Sequence, residues 1–141
     1  MEFLKHPSIW TEQRGVLLHV APKPVMMAGA TDDVLGHTVV NGVFEPTGEL
    51  SGGWPLYRKR GDGDKWIHFW PETKQWIVTD TSSKGKDSDG WAVIKHEGSL
   101  ESCAGRPWSM FMHDFPVYVE QPDVMIHLGF EAAFHVEINV Q

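Results

Sequence analysis

Along the chain, short apolar or alternating runs are broken at intervals of roughly 8–15 residues by Gly, Pro, Asn and Asp. This is the rhythm of short strands, and it leaves little room for helices. Residues 15–20 (Gly-Val-Leu-Leu-His-Val) and 25–29 (Val-Met-Met-Ala-Gly) are mostly apolar, which predicts two strands buried on both faces. Residues 31–36 read as a polar turn in which Asp32 and Asp33 can bond their own backbone. A third strand is expected over 37–45, where Asn41-Gly42 offers either a tight hairpin turn or a bulge, because both residue types tolerate positive φ. Residues 46–53 read as a polar connection, 54–60 as a strand with Pro55 at its start or edge, and 61–64 as a turn.

The clearest element follows. Residues 65–70 (Lys-Trp-Ile-His-Phe-Trp) and 76–80 (Trp-Ile-Val-Thr-Asp) flank a five-residue polar loop and predict a hairpin. Side chains alternate along a strand, so Trp66, His68 and Trp70 share one face while Ile67 and Phe69 share the other. Both faces are apolar, so both must be covered. Residues 81–90 contain no apolar side chain and predict a loop; 91–94 resume a strand, and 97–106 read as a loop or a turn of helix. Further strands are expected at 108–112, at 115–120 and 124–128 on either side of the Gln121-Pro122-Asp123 turn, and at 134–140. In the last of these, strict alternation puts Phe134, Val136, Ile138 and Val140 on one side. About nine or ten short strands suit one antiparallel sandwich or closed barrel, an all-β fold. No fixed-period repeat points to a propeller or solenoid.

A chain of 141 residues, 41% hydrophobic and 22% charged, is expected to form a single β domain over 1–141 with its own core. The formal charge of -7 argues against a broad surface for nucleic acid. Cys103 is the only cysteine, so no intrachain disulfide can form. The first ten residues carry Glu2, Lys5, His6 and Pro7 instead of an apolar signal core, and no apolar run is long enough to span a bilayer. An intracellular, cytoplasmic location and no membrane insertion are the expectations.

Several short elements occur in order: Val40-Asn41-Gly42-Val43-Phe44, Gly53-Trp54-Pro55-Leu56-Tyr57-Arg58-Lys59, Lys65-Trp66-Ile67-His68-Phe69, Trp76-Ile77-Val78 and Gly90-Trp91-Ala92. This Asn-Gly-aromatic, Pro-x-Tyr and Trp-strand pattern resembles a small Trp-rich all-β module of unknown function seen in protist, algal and some animal proteins. The likeness covers residues 27–108. It implies the β fold and supplies no activity, cofactor or catalytic residue; Phe44 stands where the pattern has Tyr as often.

Seven tryptophans are the compositional oddity. Indole offers a large rigid apolar area and one donor, so a Trp can anchor a core or line a binding groove. Core packing is the expectation for most of them, with Trp54 and Trp70, each followed by Pro, the more exposed pair. Trp54, Tyr57, Trp66, His68, Trp70 and Trp76 are the candidate binding residues. The eight histidines include no pair at metal-ligand spacing. A histidine or carboxylate site would need His68, His113, Asp114, His127, His135 or Glu137 to converge through the fold. Asp87-Ser88-Asp89-Gly90 and Gly61-Asp62-Gly63-Asp64 lack the length of a calcium loop and read as solvated turns. Arg58, Lys59, Arg60, Lys65, Lys84 and Lys86 could bind phosphate or an acidic partner, but nearby aspartates predict mutual neutralisation. Cys103 reads as a packed thiol. No catalytic residue, metal ligand or cofactor is assigned.

The expected function is that of a non-enzymatic interaction module or small subunit of a larger assembly, acting through an aromatic-rich β surface on a protein partner or a second copy. Six methionines suit such adaptable contacts. The alternatives are a small-ligand or carbohydrate-binding domain with a Trp-lined groove, and an enzyme whose histidine or carboxylate site is assembled only by the fold.

Overall fold

The computed structural model describes residues 21–84, 90–112 and 117–129. The strands expected at 15–20 and 134–140 lie outside these residues, as do His113, Asp114, His135, Glu137 and the Asp87 to Asp89 stretch. Among the described residues, nine antiparallel strands form one curled sheet: β1 (Val25–Ala28), β2 (Gly42–Ser51), β3 (Trp54–Lys59), β4 (Lys65–Trp70), β5 (Gln75–Asp80), β6 (Ala92–Lys95), β7 (Trp108–Met112), β8 (Val117–Gln121) and β9 (Met125–His127). The all-β, barrel-like expectation is met. Spatial order is β8-β7-β6-β5-β4-β3-β2-β1-β9.

The strands around the Gln121-Pro122-Asp123 turn are thus not partners; they sit at the two ends of the sheet. The curl brings those ends together. The Trp108 N–H donates to the Val124 carbonyl at 2.8 Å and the Gly105 N–H to Ile126 at 3.0 Å. Gly29, at φ 104°, lies against the backbone of Asp123 so closely that a β-carbon would overlap the Asp123 carbonyl. Only a residue without a side chain fits where β1 meets this turn.

Three local readings are corrected. Residues 37–40 form a 3₁₀ turn, His37–Val40, although Thr-Val-Val has strand propensity. One turn of 3₁₀ helix aligns i with i+3, which sends His37 and Val40 into the interior together, and the His37 Nε2–H reaches the Phe111 carbonyl at 3.0 Å. Asn41-Gly42 is neither hairpin nor bulge: Asn41 has φ -73°, and its amide clamps the N–H and C=O of Ala30 at 3.1 and 2.8 Å. The polar stretch from Pro46 to Gly53 is mostly strand as well, since β2 runs to Ser51. Its register with β3 shifts between Pro46 and Leu50, and the Thr47 hydroxyl donates to the Leu56 carbonyl at 3.0 Å beside the shift. Proline, glycine and outward polar residues hid a bulged strand.

The concave face holds the core. One row of cross-strand neighbours runs Tyr57, Ile67, Val78, Ala92, Met110 and Val119, from β3 to β8. The first five are buried. A second row, Phe69, Trp76 and Ile94, is also buried. Removing an indole such as Trp76 from water is worth about 5 kcal/mol for roughly 200 Å² of apolar area.

Candidate functional site

The outer face of β4 carries Trp66, His68 and Trp70, opposite Ile67 and Phe69, as alternation predicts. It is apolar and largely buried. Across from these residues on β5 lie Thr79, Ile77 and Gln75, and Val93 on β6 pairs with Ile77. His68, Ile77, Thr79, Val93 and Leu56 are all buried, outside the concave core cluster. His68 has no exposed surface, and neither ring nitrogen has a hydrogen-bond partner. Burial disfavours the charged imidazolium and pulls its pKa down to about 4. The indole N–H of neighbouring Trp70 is also buried without a partner, whereas that of Trp66 donates to the Thr81 hydroxyl at 2.9 Å.

The other three candidate binding residues belong to the core. Tyr57 and Trp76 are fully buried on the concave face, and Trp54, at the start of β3, turns its ring onto Phe69 and Trp76 at centroid distances of 6.4 and 6.3 Å. Trp76 touches Tyr57 and Phe69 as well, and its indole donates to the Gly98 carbonyl at 3.1 Å. The six residues are therefore divided between two faces of the sheet. Trp54 and Trp70 are each half-buried, one on either side.

Of the histidines and carboxylates that might have converged, His68 and His127 fall among the described residues. They are kept apart by β3, β2 and β1. A different cluster, which the sequence analysis did not single out, joins His96, Ser102 and Arg106. An Arg106 Nη contacts His96 Nδ1 at 2.7 Å, and His96 Nε2 lies 2.7 Å from the Ser102 hydroxyl. Arginine can only donate, so Nδ1 is the acceptor and Nε2 carries the proton. Nε2–H then donates to Ser102, whose own hydroxyl donates to the Ser99 carbonyl at 2.7 Å. Burial and the Arg106 charge both lower the His96 pKa. The imidazole is oriented as a donor to the serine, the reverse of a general base. Residues 96 and 102 share no strand or helix register, so no periodic signal marks them.

Cys103 is buried, its thiol directed at the Leu100 carbonyl, and burial pushes its pKa up to about 11, which leaves it protonated and inert at neutral pH. Among the described residues no group of three or more His, Cys, Asp or Glu could hold a metal ion. No helix among them is long and apolar enough to cross a membrane.

The basic residues are partly neutralised, as expected. Arg60 pairs with Glu45 at 2.7 Å and Lys65 with Asp62 and Asp64 at 3.7 and 3.3 Å. The Asp64 carboxylate also accepts the Thr81 N–H, the principal reason its pKa is lowered. Lys59 Nζ donates to the Val39 carbonyl at 2.8 Å, and burial lowers its pKa. Arg58 and Lys84 instead lie against Trp66, at 5.0 and 4.0 Å from the ring.

Two depressions flank these elements. A cavity of about 70 Å³ is lined by Ala30, Asp32, His37, Met110, Met112, Gln121 and Val124. A wider groove of about 520 Å³ is lined by Glu45, Thr47, Arg58, Lys59, Arg60 and the Gly61 to Gly63 turn. Neither is lined by tryptophan. Beside the first, Val119 and Val117 face Met110 and Met112 across the β7–β8 pair and remain 43% and 50% exposed. We find no family model, curated protein or solved structure that matches this chain.

Proposed function

We propose that this protein is a non-enzymatic interaction module that engages a partner polypeptide through the β7–β8 rim. The observation that carries the reading is the core row from Tyr57 to Met110, which continues without change of chemistry to Val119 and there runs out into solvent. Exposed aliphatic side chains contiguous with a core are what a partner's apolar residues complete. Met110 and Met112 behind the rim are unbranched and can repack around what they meet. The contact surface is then aliphatic, while the described tryptophans serve the two faces of the sheet. Residues 27–108, over which the likeness to the Trp-rich module extends, supply the scaffold strands β2 to β6 on this reading.

The test compares the chain with Val117→Lys and Val119→Lys in chemical cross-linking from an extract, with light scattering for self-association. Loss of a cross-linked partner or of a dimer in both variants, with unchanged melting, supports the module. Identical capture by variants and unaltered chain, or a monomer that captures nothing, refutes it.

A further inference from the structure

Where the two ends of the sheet meet, the cavity of about 70 Å³ gathers side chains from three places in the fold. Asp32 and His37 come from the segment that leads into β2, Met110 and Met112 from β7, and Gln121 from the end of β8. The backbone of these walls is tied down. The Leu35 N–H donates to Asp32 Oδ1 at 3.0 Å, and the His37 N–H to the Asp32 carbonyl at 2.9 Å. Opposite them, the Val124 N–H closes its turn on the Gln121 carbonyl at 3.1 Å. The polar groups of the lining are acceptors with capacity to spare. Leu35 occupies one carboxylate oxygen of Asp32, and the other has no partner among the described residues. His37 is buried and gives its Nε2–H to the Phe111 carbonyl at 3.0 Å, so a neutral ring presents Nδ1 as an acceptor. The Gln121 amide oxygen, likewise without a partner among the described residues, is a third. Neither Lys nor Arg is among the described residues of the lining, and the chain carries a formal charge of -7.

We propose that this cavity seats a lysine side chain of the polypeptide that meets the β7–β8 rim. An ammonium brings three donors to the three acceptors of Asp32, His37 and Gln121. Its unbranched stem lies along Met110 and Met112, whose partners across the strand pair are the exposed Val119 and Val117. Size selects the same group. A single water needs about 10–15 Å³ of such a space, so about 70 Å³ takes the end of one narrow chain and suits a compact ammonium better than the planar fork of arginine. The assignment to a partner rests on the rim reading, because the polypeptide that covers Val117 and Val119 is what carries the lysine in.

The experiment follows the methyl resonances of Met110 and Met112 in the full chain. Lysine, norleucine and arginine, each capped at both ends as N-acetyl methylamides, are titrated at constant ionic strength. Saturable shifts with capped lysine are expected, with binding about tenfold weaker or less for norleucine, which keeps the stem and lacks the ammonium, and weaker binding of arginine. Asp32→Asn keeps the bond to Leu35 through its amide oxygen and should remove the preference for lysine over norleucine. Asp33→Asn, next along the turn and outside the lining, should preserve it. Norleucine or arginine binding as well as lysine, or an equal loss in the Asp33 variant, would overturn the seat. Capped lysine reads the cavity alone, and capture by the Val117 and Val119 variants reads the rim alone. No saturable shift in a chain whose capture through the rim is intact overturns the seat and leaves the rim reading standing. Saturable binding in a chain that captures nothing overturns the rim reading, and with it the partner as the source of the lysine.

Discussion

Acidification should unfold this protein through His68, and the size of the effect can be worked out from its surroundings. The imidazole has no exposed surface and no partner for either nitrogen, so it is neutral when folded, with a pKa of about 4. In the unfolded chain it returns to about 6.5. Between these values the unfolded state binds a proton that the folded state refuses. Stability from this residue is therefore fully present above about pH 6.5 and is lost as pH falls through about 4. At about 1.4 kcal/mol per pH decade, that interval is worth about 3 kcal/mol, a large share of the 5–15 kcal/mol typical of a domain. His68→Phe and His68→Leu remove the titrating group. They also remove a buried donor and acceptor whose desolvation costs about 1–3 kcal/mol, so at pH 7 either variant should match or exceed the unaltered chain. Urea unfolding followed by tryptophan fluorescence from pH 7.5 to 4.5 measures both effects. Parallel acid losses in variants and unaltered chain, or a drop of more than about 2 kcal/mol at pH 7 in both variants, would refute the reasoning, since the second result means His68 makes a needed polar contact.

Three further outcomes are expected. Trp76→Ala should cost about 3–5 kcal/mol in the same assay, because Trp54, Tyr57 and Phe69 all lose a ring neighbour; a cost below 1 kcal/mol would mean that the core can collapse around the gap. Gly29→Ala should cost more than about 2 kcal/mol and speed amide exchange at Gly105 and Trp108, the donors across the junction, since it combines φ 104° with an overlap on Asp123. Unchanged exchange would show that the sheet ends are not joined there. A fluorophosphonate probe should leave Ser102 unlabelled at pH 7 to 9, because His96 donates to the hydroxyl instead of taking its proton; labelling would show that the Arg106 contact fails in solution.

Where the sequence was misread, the reasons are physical. The hairpin of β4 and β5 was legible because alternation is a local property of an extended chain, and Trp66, His68 and Trp70 could have pointed no other way than opposite Ile67 and Phe69. His37 to Val40 was not legible. Its strand propensity is outweighed by a part-buried bond from His37 to Phe111, 74 residues away, which no local window contains. The tail of β2 was hidden because Thr47 to Leu50 face solvent and show no apolar period. The six candidate binding residues lie on strands, and the fold divides them between the two faces of the sheet. Trp54 follows the parity of Leu56 and Arg58 along β3, yet its ring folds over the strand start onto Trp76.

By itself the sequence determined that this chain is all β, roughly where most of its strands run, and that both faces of β4 are apolar, since each of these depends on neighbours a few residues apart. Only the tertiary structure decided that β8 and β9 would sit at opposite ends of a sheet that curls to meet itself. It alone decided that His68 would be sealed without a partner, and that Arg58 and Lys84 would rest on one indole while neighbouring cations found carboxylates. Those outcomes depend on which strands pair and how the sheet curves, quantities set by the whole set of long-range contacts and by no segment of the chain alone.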